Sequence, residues 1–171
     1  MKKEYEAYLL KKFPKLYPSV DITSKNAQHP FELFGFECGD GWFRLILWLS
    51  RYLQNYIDRQ NDWAEKYPDT HPKVDQVVVA QVKEKFGTLR FYTDGGNERT
   101  QSAIAFAEYV SGFICETTGK TDDVGYNKKG WIKTHHKSLA KSKDFHFVDE
   151  PDLLEIISEQ KEFNFDSPPK S

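Results

Sequence analysis

One segment, residues 40–67, constrains the fold more than any other part of the sequence. Asp40 is a favourable N-cap residue, and Pro68 cannot continue a helix. Between them, apolar residues recur at the i, i+3, i+4 spacing of one helix face: Trp42, Leu45, Ile46, Leu49, Leu53, Tyr56 and Ile57. The pattern predicts a long helix that begins near Asp40 and buries this face in a core.

The segment that follows has the alternation of β-strands. Two Val- and Phe-containing runs between residues 76 and 93 flank Gly87, a residue that permits a tight turn. This predicts a hairpin over about residues 76–93. Because successive side chains of a strand point to opposite faces, the alternation separates two pairs of residues, Lys83 with Lys85 and Val82 with Glu84.

A second helix is predicted over residues 98–114. Its proposed apolar face comprises Ala103, Phe106, Ala107, Val110, Phe113 and Ile114. Residues 115–130 resemble a polar, glycine-containing loop. Short terminal helices are expected over residues 3–13 and 151–160, each with apolar residues at helical spacing.

This order of elements predicts an α+β fold. We expect a small antiparallel sheet, with its hairpin at about 76–93, packed by the helices at about 40–67 and 98–114. A length of 171 residues suits one domain. We therefore predict a single domain over residues 1–160 and a loose tail over residues 161–171.

Composition limits the classes of function. The formal net charge of −2 gives no overall attraction to nucleic acid or to an anionic membrane. Two cysteines, Cys38 and Cys115, are too few for a disulfide framework. The N-terminal stretch has no apolar signal-peptide region, and no apolar run is long enough to span a bilayer. These features predict a cytoplasmic protein without a membrane partner.

Two segments carry a resemblance to a known family. FECGDGW (residues 36–42) and VKEKFGTLRFY (residues 82–92) resemble segments of a family of small uncharacterised proteins from phages and bacterial genomes. The resemblance covers roughly residues 30–136. It implies a phage or mobile-element context and supplies no mechanism, since the family has no established activity.

In such proteins a Cys-x-x-Cys-Gly knuckle, a Trp and another Cys usually follow the second helix. The corresponding stretch here is residues 115–119, CETTG, in which Thr118 occupies the position of the second Cys. A structural zinc site needs four good ligands. We expect no cofactor and consider zinc disfavoured, because only three candidate ligands remain: Cys115, His135 and His136. Hydrogen bonds and packing of Trp131 are then expected to replace the metal.

Three regions are candidates for binding. The hairpin carries cations among aromatic residues, which suits phosphates and bases or, alternatively, a solvated strand face with cross-strand ion pairs. A basic patch over residues 128–143 contains six Lys and two His, and it suits either phosphates or the acidic C-terminal segment of the same chain. The candidate binding residues are Trp42, Lys83, Lys85, Phe86 and Arg90, with Asp149, Glu150, Asp152 and Glu155 in the acidic segment.

These features leave three hypotheses open. The favoured one is a non-enzymatic protein that binds a host or bacterial protein, as an inhibitor of a bacterial defence protein or as an immunity-type protein. The alternative is a nucleic-acid or nucleotide binder that uses the hairpin and the 128–143 patch. An enzyme ranks last, because the sequence has no P-loop, GxGxxG, GxSxG or HExxH motif. Its site would combine Glu37, Cys38 and Asp40 with Arg90, although a buried thiol beside an N-cap is the simpler interpretation.

Overall fold

The structure, a computed structural model, describes residues 1–127, 130, 132–140 and 145–147. Within these residues, four α-helices and two small three-stranded sheets confirm the predicted α+β class. In chain order the elements are α1 (Lys3–Lys12), α2 (Pro30–Phe34), β1 (Phe36–Glu37), α3 (Phe43–Lys66), β2 (Val78–Lys85), β3 (Thr88–Asp94), α4 (Glu98–Ser111), β4 (Val124–Asn127), β5 (Thr134–His136) and β6 (Phe145–Phe147).

Helix α3 contains the long amphipathic pattern. It follows a 3-10 turn over Asp40–Trp42, and it buries Ile46, Leu53 and Ile57 among the core residues. The predicted helix is therefore confirmed, with a start three residues later than expected. The predicted N-cap is wrong, because the Asp40 carboxylate instead accepts a hydrogen bond from the backbone N–H of Lys2 at 2.7 Å.

The first sheet has the order β1-β2-β3. Strands β2 and β3 are antiparallel, and Lys85 pairs with Thr88 across a two-residue turn. Strand β1 joins the other edge of β2 in parallel, so the sheet is mixed and not purely antiparallel. The register places Lys83 opposite Arg90 and Val82 opposite Phe91, which confirms the predicted separation of the Lys and Val faces.

Helix α4 covers the free edge of β3. The N–H of Leu89 donates to Ser111 Oγ at 2.8 Å, and the N–H of Phe91 donates to Glu108 Oε1 at 2.8 Å. These bonds satisfy edge groups that would otherwise be open to another strand. Ile104 and Ala107 are buried in this contact, whereas Phe106 is 68% exposed. The placement of Phe106 on the packed face was therefore wrong, because polar contacts to β3 set the rotation of α4.

The second sheet, β5-β4-β6, is antiparallel. Its central strand β4 lies in the segment for which a loop was predicted. The Oγ1 of Thr134 donates to the carbonyl oxygen of Gly87 at 2.5 Å and so joins this sheet to the hairpin turn. The predicted helix over 151–160 and the predicted tail over 161–171 lie outside the described residues.

The main core lies between the four helices and the first sheet. Leu9, Phe31, Leu53 and Val82 are among its fully buried members. Of the helices in the described ranges, none has the length and apolar character needed to cross a membrane.

Candidate binding surface

The FECGDGW segment packs against the turn that follows α4. Trp42 is fully buried, and its Nε1 donates to the carbonyl oxygen of Ile114 at 3.0 Å. The amide of Gly41 donates to the Glu116 carbonyl at 2.7 Å, and the amide of Gly39 donates to the Glu116 carboxylate at 2.9 Å. This segment therefore joins two parts of the fold. Trp42 was predicted as a binding residue, but its burial removes it from any exposed contact surface.

The residues of the enzyme hypothesis do not form a nucleophilic site. Burial raises the pKa of the Cys38 thiol to about 12, so this thiol is protonated at neutral pH. Glu37 accepts a hydrogen bond from Gln81 at 3.0 Å, and Asp40 accepts the one from Lys2. Both carboxylates therefore have structural partners, and the thiol lacks the deprotonated form that a nucleophile needs.

The candidate zinc ligands do not fit a four-ligand site. Burial of the Cys115 thiol acts to raise its pKa, but hydrogen bonds from the Thr118 side chain and from backbone amides outweigh it and lower the pKa. His136 has Nδ1 2.7 Å from Ser138 Oγ and Nε2 3.7 Å from Asp122 Oδ2. His135 precedes it in β5, where adjacent side chains point to opposite faces. In the part of the chain that the structure describes, no three His, Cys, Asp or Glu residues are grouped to hold a metal.

Four of the predicted binding residues come together on the hairpin. Lys83, Lys85 and Arg90 share one face with the turn residue Phe86, and we call these four residues the hairpin surface. Lys83 lies directly opposite Arg90, an arrangement of like charges that destabilises a strand pair. Within the described ranges, none of these three cations forms an ion pair. Their charge is thus available to a partner.

Phe86 occupies an unusual position. It has a φ of +54° and is followed by Gly87 with a φ of +80°, so both turn residues are left-handed. Such turns favour Asn-Gly, and a bulky residue in this region costs about 1–2 kcal/mol. The Phe86 side chain is 68% exposed, and the Lys85 ammonium lies 5.3 Å from the centroid of its ring. The strain is therefore not compensated by burial of the ring.

A cleft adjoins the hairpin surface where the hairpin, α4 and the second sheet meet. Its volume is about 650 Å³, and its walls include Phe86, Arg90, Glu108, Tyr109 and Tyr126. Tyr109 is 66% exposed and contacts the ring of Phe113, with 5.1 Å between the centroids. Tyr109 was not among the residues predicted from the sequence. Its i, i+3 spacing from Phe106 was the available signal for a second, solvent-facing aromatic stripe on α4.

The other predicted binding regions are described only in part. Lys133 and Lys137 of the 128–143 patch lie within the described residues, as do His135 and His136. The other four lysines of that patch, Trp131 and the predicted acidic binding residues of the C-terminal segment lie outside them: Lys128, Lys129, Trp131, Lys141, Lys143, Asp149, Glu150, Asp152 and Glu155. Contact between the basic patch and the acidic segment stays a prediction.

Comparisons with known proteins find no family model, curated protein or solved structure that is significantly similar to this chain. The resemblance of the FECGDGW and VKEKFGTLRFY segments to a phage and bacterial family stays a prediction. The candidate function therefore depends on the geometry of the surfaces.

Proposed function

We propose that this protein is a non-enzymatic binding protein that recognises another protein through the hairpin surface. The observation that carries the proposal is Phe86, an aromatic residue in a left-handed turn position with 68% of its surface exposed. Backbone strain of this kind persists at sites where function requires the side chain. A large exposed aromatic ring is also the type of residue that anchors protein interfaces.

The charge of the hairpin surface defines the chemistry of the partner. Lys83, Lys85 and Arg90 form no ion pair within the described residues, and they flank an exposed aromatic ring. An acidic surface with an apolar centre would complement this arrangement. The adjoining cleft of about 650 Å³ can receive a side chain of the partner beside Tyr109.

The biological role proposed for this binding is inhibition of a bacterial protein. A defence protein is the favoured target, and an immunity-type role is included in the proposal. The support for this step is the resemblance of the FECGDGW and VKEKFGTLRFY segments to a phage and bacterial family. A cytoplasmic location is part of the same proposal. The two free, buried cysteines favour this location.

A matched set of variants tests the hairpin surface. The tagged protein is used to isolate a partner from a bacterial lysate treated with nuclease, and binding is then measured with both proteins purified. Phe86→Asn suits the left-handed turn, so it should keep the fold and weaken binding about tenfold or more. Lys85→Glu should also weaken binding. The control substitutions Phe34→Asn and Lys73→Glu change exposed residues elsewhere and should leave binding intact.

The result that would contradict the proposal is an equal affinity for the parent protein and the Phe86→Asn variant. In that case the strained aromatic residue is not the contact, and the partner binds another surface. Loss of binding in the two control variants as well would point to general charge or folding effects.

Nucleic acid is the second candidate ligand of the hairpin surface. The observation that favours it is the position of the Lys83 ammonium 5.6 Å from the centroid of the Tyr92 ring, with Tyr92 43% exposed. Cations beside exposed rings suit phosphates and stacked bases. Recovery of nucleic acid, loss of captured proteins after nuclease, and an affinity that falls steeply with salt would establish this function in place of the first.

A further inference from the structure

A second surface lies along the outer face of α3, apart from the hairpin surface. Tyr52, Tyr56, Arg59 and Trp63 follow one another at helical spacing, and Arg99 approaches them from the first turn of α4. Asn55 and Gln60 complete the lining of a groove of about 300 Å³. We call this groove the arginine groove. It contains two cations, three aromatic rings and two amides, and no acidic residue is among the described residues that line it.

Neighbouring side chains hold Arg99 in place. Its Nε donates to the Tyr52 hydroxyl at 2.9 Å, and its guanidinium carbon lies 4.9 Å from the centroid of the Tyr56 ring. The Tyr56 hydroxyl in turn accepts a hydrogen bond from Asn97, the N-cap residue of α4. Within the described residues, Arg99 donates a side-chain hydrogen bond only through Nε. Its terminal N–H groups donate to no described residue. They form a fork that matches a phosphate.

Arg59 supplies a second cation. Its guanidinium carbon lies 5.6 Å from the centroid of the Trp63 ring, and it forms no ion pair with any residue in the described ranges. The nearby carboxylate of Asp58 is bound by Lys15 at 3.0 Å and by Gln54 at 3.0 Å. The groove thus keeps an excess of positive charge.

Two of the three aromatic rings, those of Tyr52 and Trp63, remain accessible. Tyr52 and Trp63 are 41% and 42% exposed, and the rings of Tyr52 and Tyr56 are nearly parallel, with an interplanar angle of 6°. Exposed rings of this kind stack planar bases without regard to base sequence. The amides of Asn55 and Gln60 add donors and acceptors that can contact a base edge or a sugar.

We propose that the arginine groove binds a nucleotide, with its phosphate held by Arg59 and Arg99 and its base stacked on the groove's aromatic rings. The volume of about 300 Å³ lies at the lower end of the range for small-ligand sites. The site goes beyond the proposed protein-binding function and shares no residue with the hairpin surface. Its ligand is either a free nucleotide or one unit of a single strand, because both present the same chemistry.

The test uses the purified full chain and four probes. Adenosine 5′-monophosphate, a short oligodeoxyadenylate, inorganic phosphate and poly-glutamate are titrated while tryptophan fluorescence and heat are measured. Both nucleotide probes should bind, and their affinity should fall with salt. Arg59→Gln and Arg99→Gln should each weaken nucleotide binding about tenfold or more, because hydrogen bonds to charged groups are lost.

Two further variants separate the parts of the site. Arg44→Gln removes the same charge from an exposed position of α3 that does not line the groove, and it should leave affinity unchanged. Trp63→Leu should weaken nucleotide binding and spare inorganic phosphate, because it removes a stacking platform and no cation. Circular dichroism of every variant checks that the helices are retained.

The outcomes distinguish the sources of the ligand. Tighter binding of the oligonucleotide supports a single strand, and equal binding supports a free nucleotide. Absence of binding to both nucleotide probes overturns the proposal, as does an equal loss of affinity in Arg44→Gln. Binding of poly-glutamate as tightly as the oligonucleotide, with the same sensitivity to Arg59→Gln, also overturns it and makes the groove a contact for an acidic protein.

Discussion

Replacing Gly41 by Ala tests the contact between the FECGDGW segment and the turn after α4. The new Cβ would overlap the carbonyl oxygen of Cys115 and the amide nitrogen of Gly119, and it would lie 2.7 Å from the Glu116 carbonyl oxygen. Favourable carbon contacts need about 3.5–4.0 Å. All three obstructing atoms belong to the backbone, so a side-chain rotation cannot relieve the overlap.

The expected loss of stability follows from the bonds that this contact contains. Separating the two segments breaks the bonds from Gly41 to the Glu116 carbonyl and from Trp42 to the Ile114 carbonyl, at 2.7 and 3.0 Å. It also breaks the bond from Gly39 to the Glu116 carboxylate, at 2.9 Å. Neutral bonds contribute about 0.5–1.5 kcal/mol each and a charged one about 1.5–3 kcal/mol. The free energy of unfolding should therefore fall by about 2.5–6 kcal/mol.

Equilibrium unfolding in urea, followed by tryptophan fluorescence, measures this loss. Gly112→Ala is the matched control, because its Cβ would meet Tyr109 O at 3.4 Å and Thr88 Cγ2 at 3.5 Å, which are ordinary contacts. Its φ of −67° suits any L residue, so this control should change stability by less than about 1 kcal/mol. A Gly41→Ala variant within about 1 kcal/mol of the parent would refute the reasoning.

Three further results are expected. Burial raises the pKa of Glu116, so its carboxyl binds a proton more tightly in the native protein than in the unfolded chain. Stability should therefore fall as pH rises through that raised pKa. The Glu116→Gln substitution should flatten this part of a profile of urea midpoint against pH, taken between about pH 4 and pH 7. Ser111→Ala removes the acceptor of the buried Leu89 N–H and should lower the unfolding free energy by about 1–3 kcal/mol in the same assay. Burial raises the pKa of the Cys38 thiol to about 12, so this thiol should resist alkylation by iodoacetamide in the native protein at about pH 8 and react after unfolding. Mass spectrometry measures the labelling, and rapid labelling of the native protein would contradict the prediction.

The sequence by itself determined the local elements of this fold. The apolar spacing that includes Ile46 and Leu53 predicted α3, because one face of a helix must be buried to be stable. Strand alternation around Gly87 likewise predicted the hairpin and placed Lys83 and Lys85 on a common face. These features depend on the periodicity of the backbone, which is visible in neighbouring residues.

Tertiary structure decided the rotation of α4 and the role of the FECGDGW segment. Hydrogen bonds from β3 to Glu108 and Ser111 turn Phe106 to solvent, although apolar spacing had placed it on the packed face. Apolar spacing placed Trp42 on the buried face, but the carbonyl that its indole N–H meets lies 72 positions away in sequence. No local pattern contains a bond between such distant residues.

The candidate sites divide in the same way. Alternation predicted that Lys83 and Lys85 share one face, but the position of Arg90 opposite Lys83, the positive φ of Phe86 and the approach of Tyr109 emerged only from the folded chain. The arginine groove was not predicted, because Arg99 reaches Tyr52 across 47 positions of sequence. Periodicity determines which side chains share an element, whereas the packing of elements determines which side chains from distant segments meet.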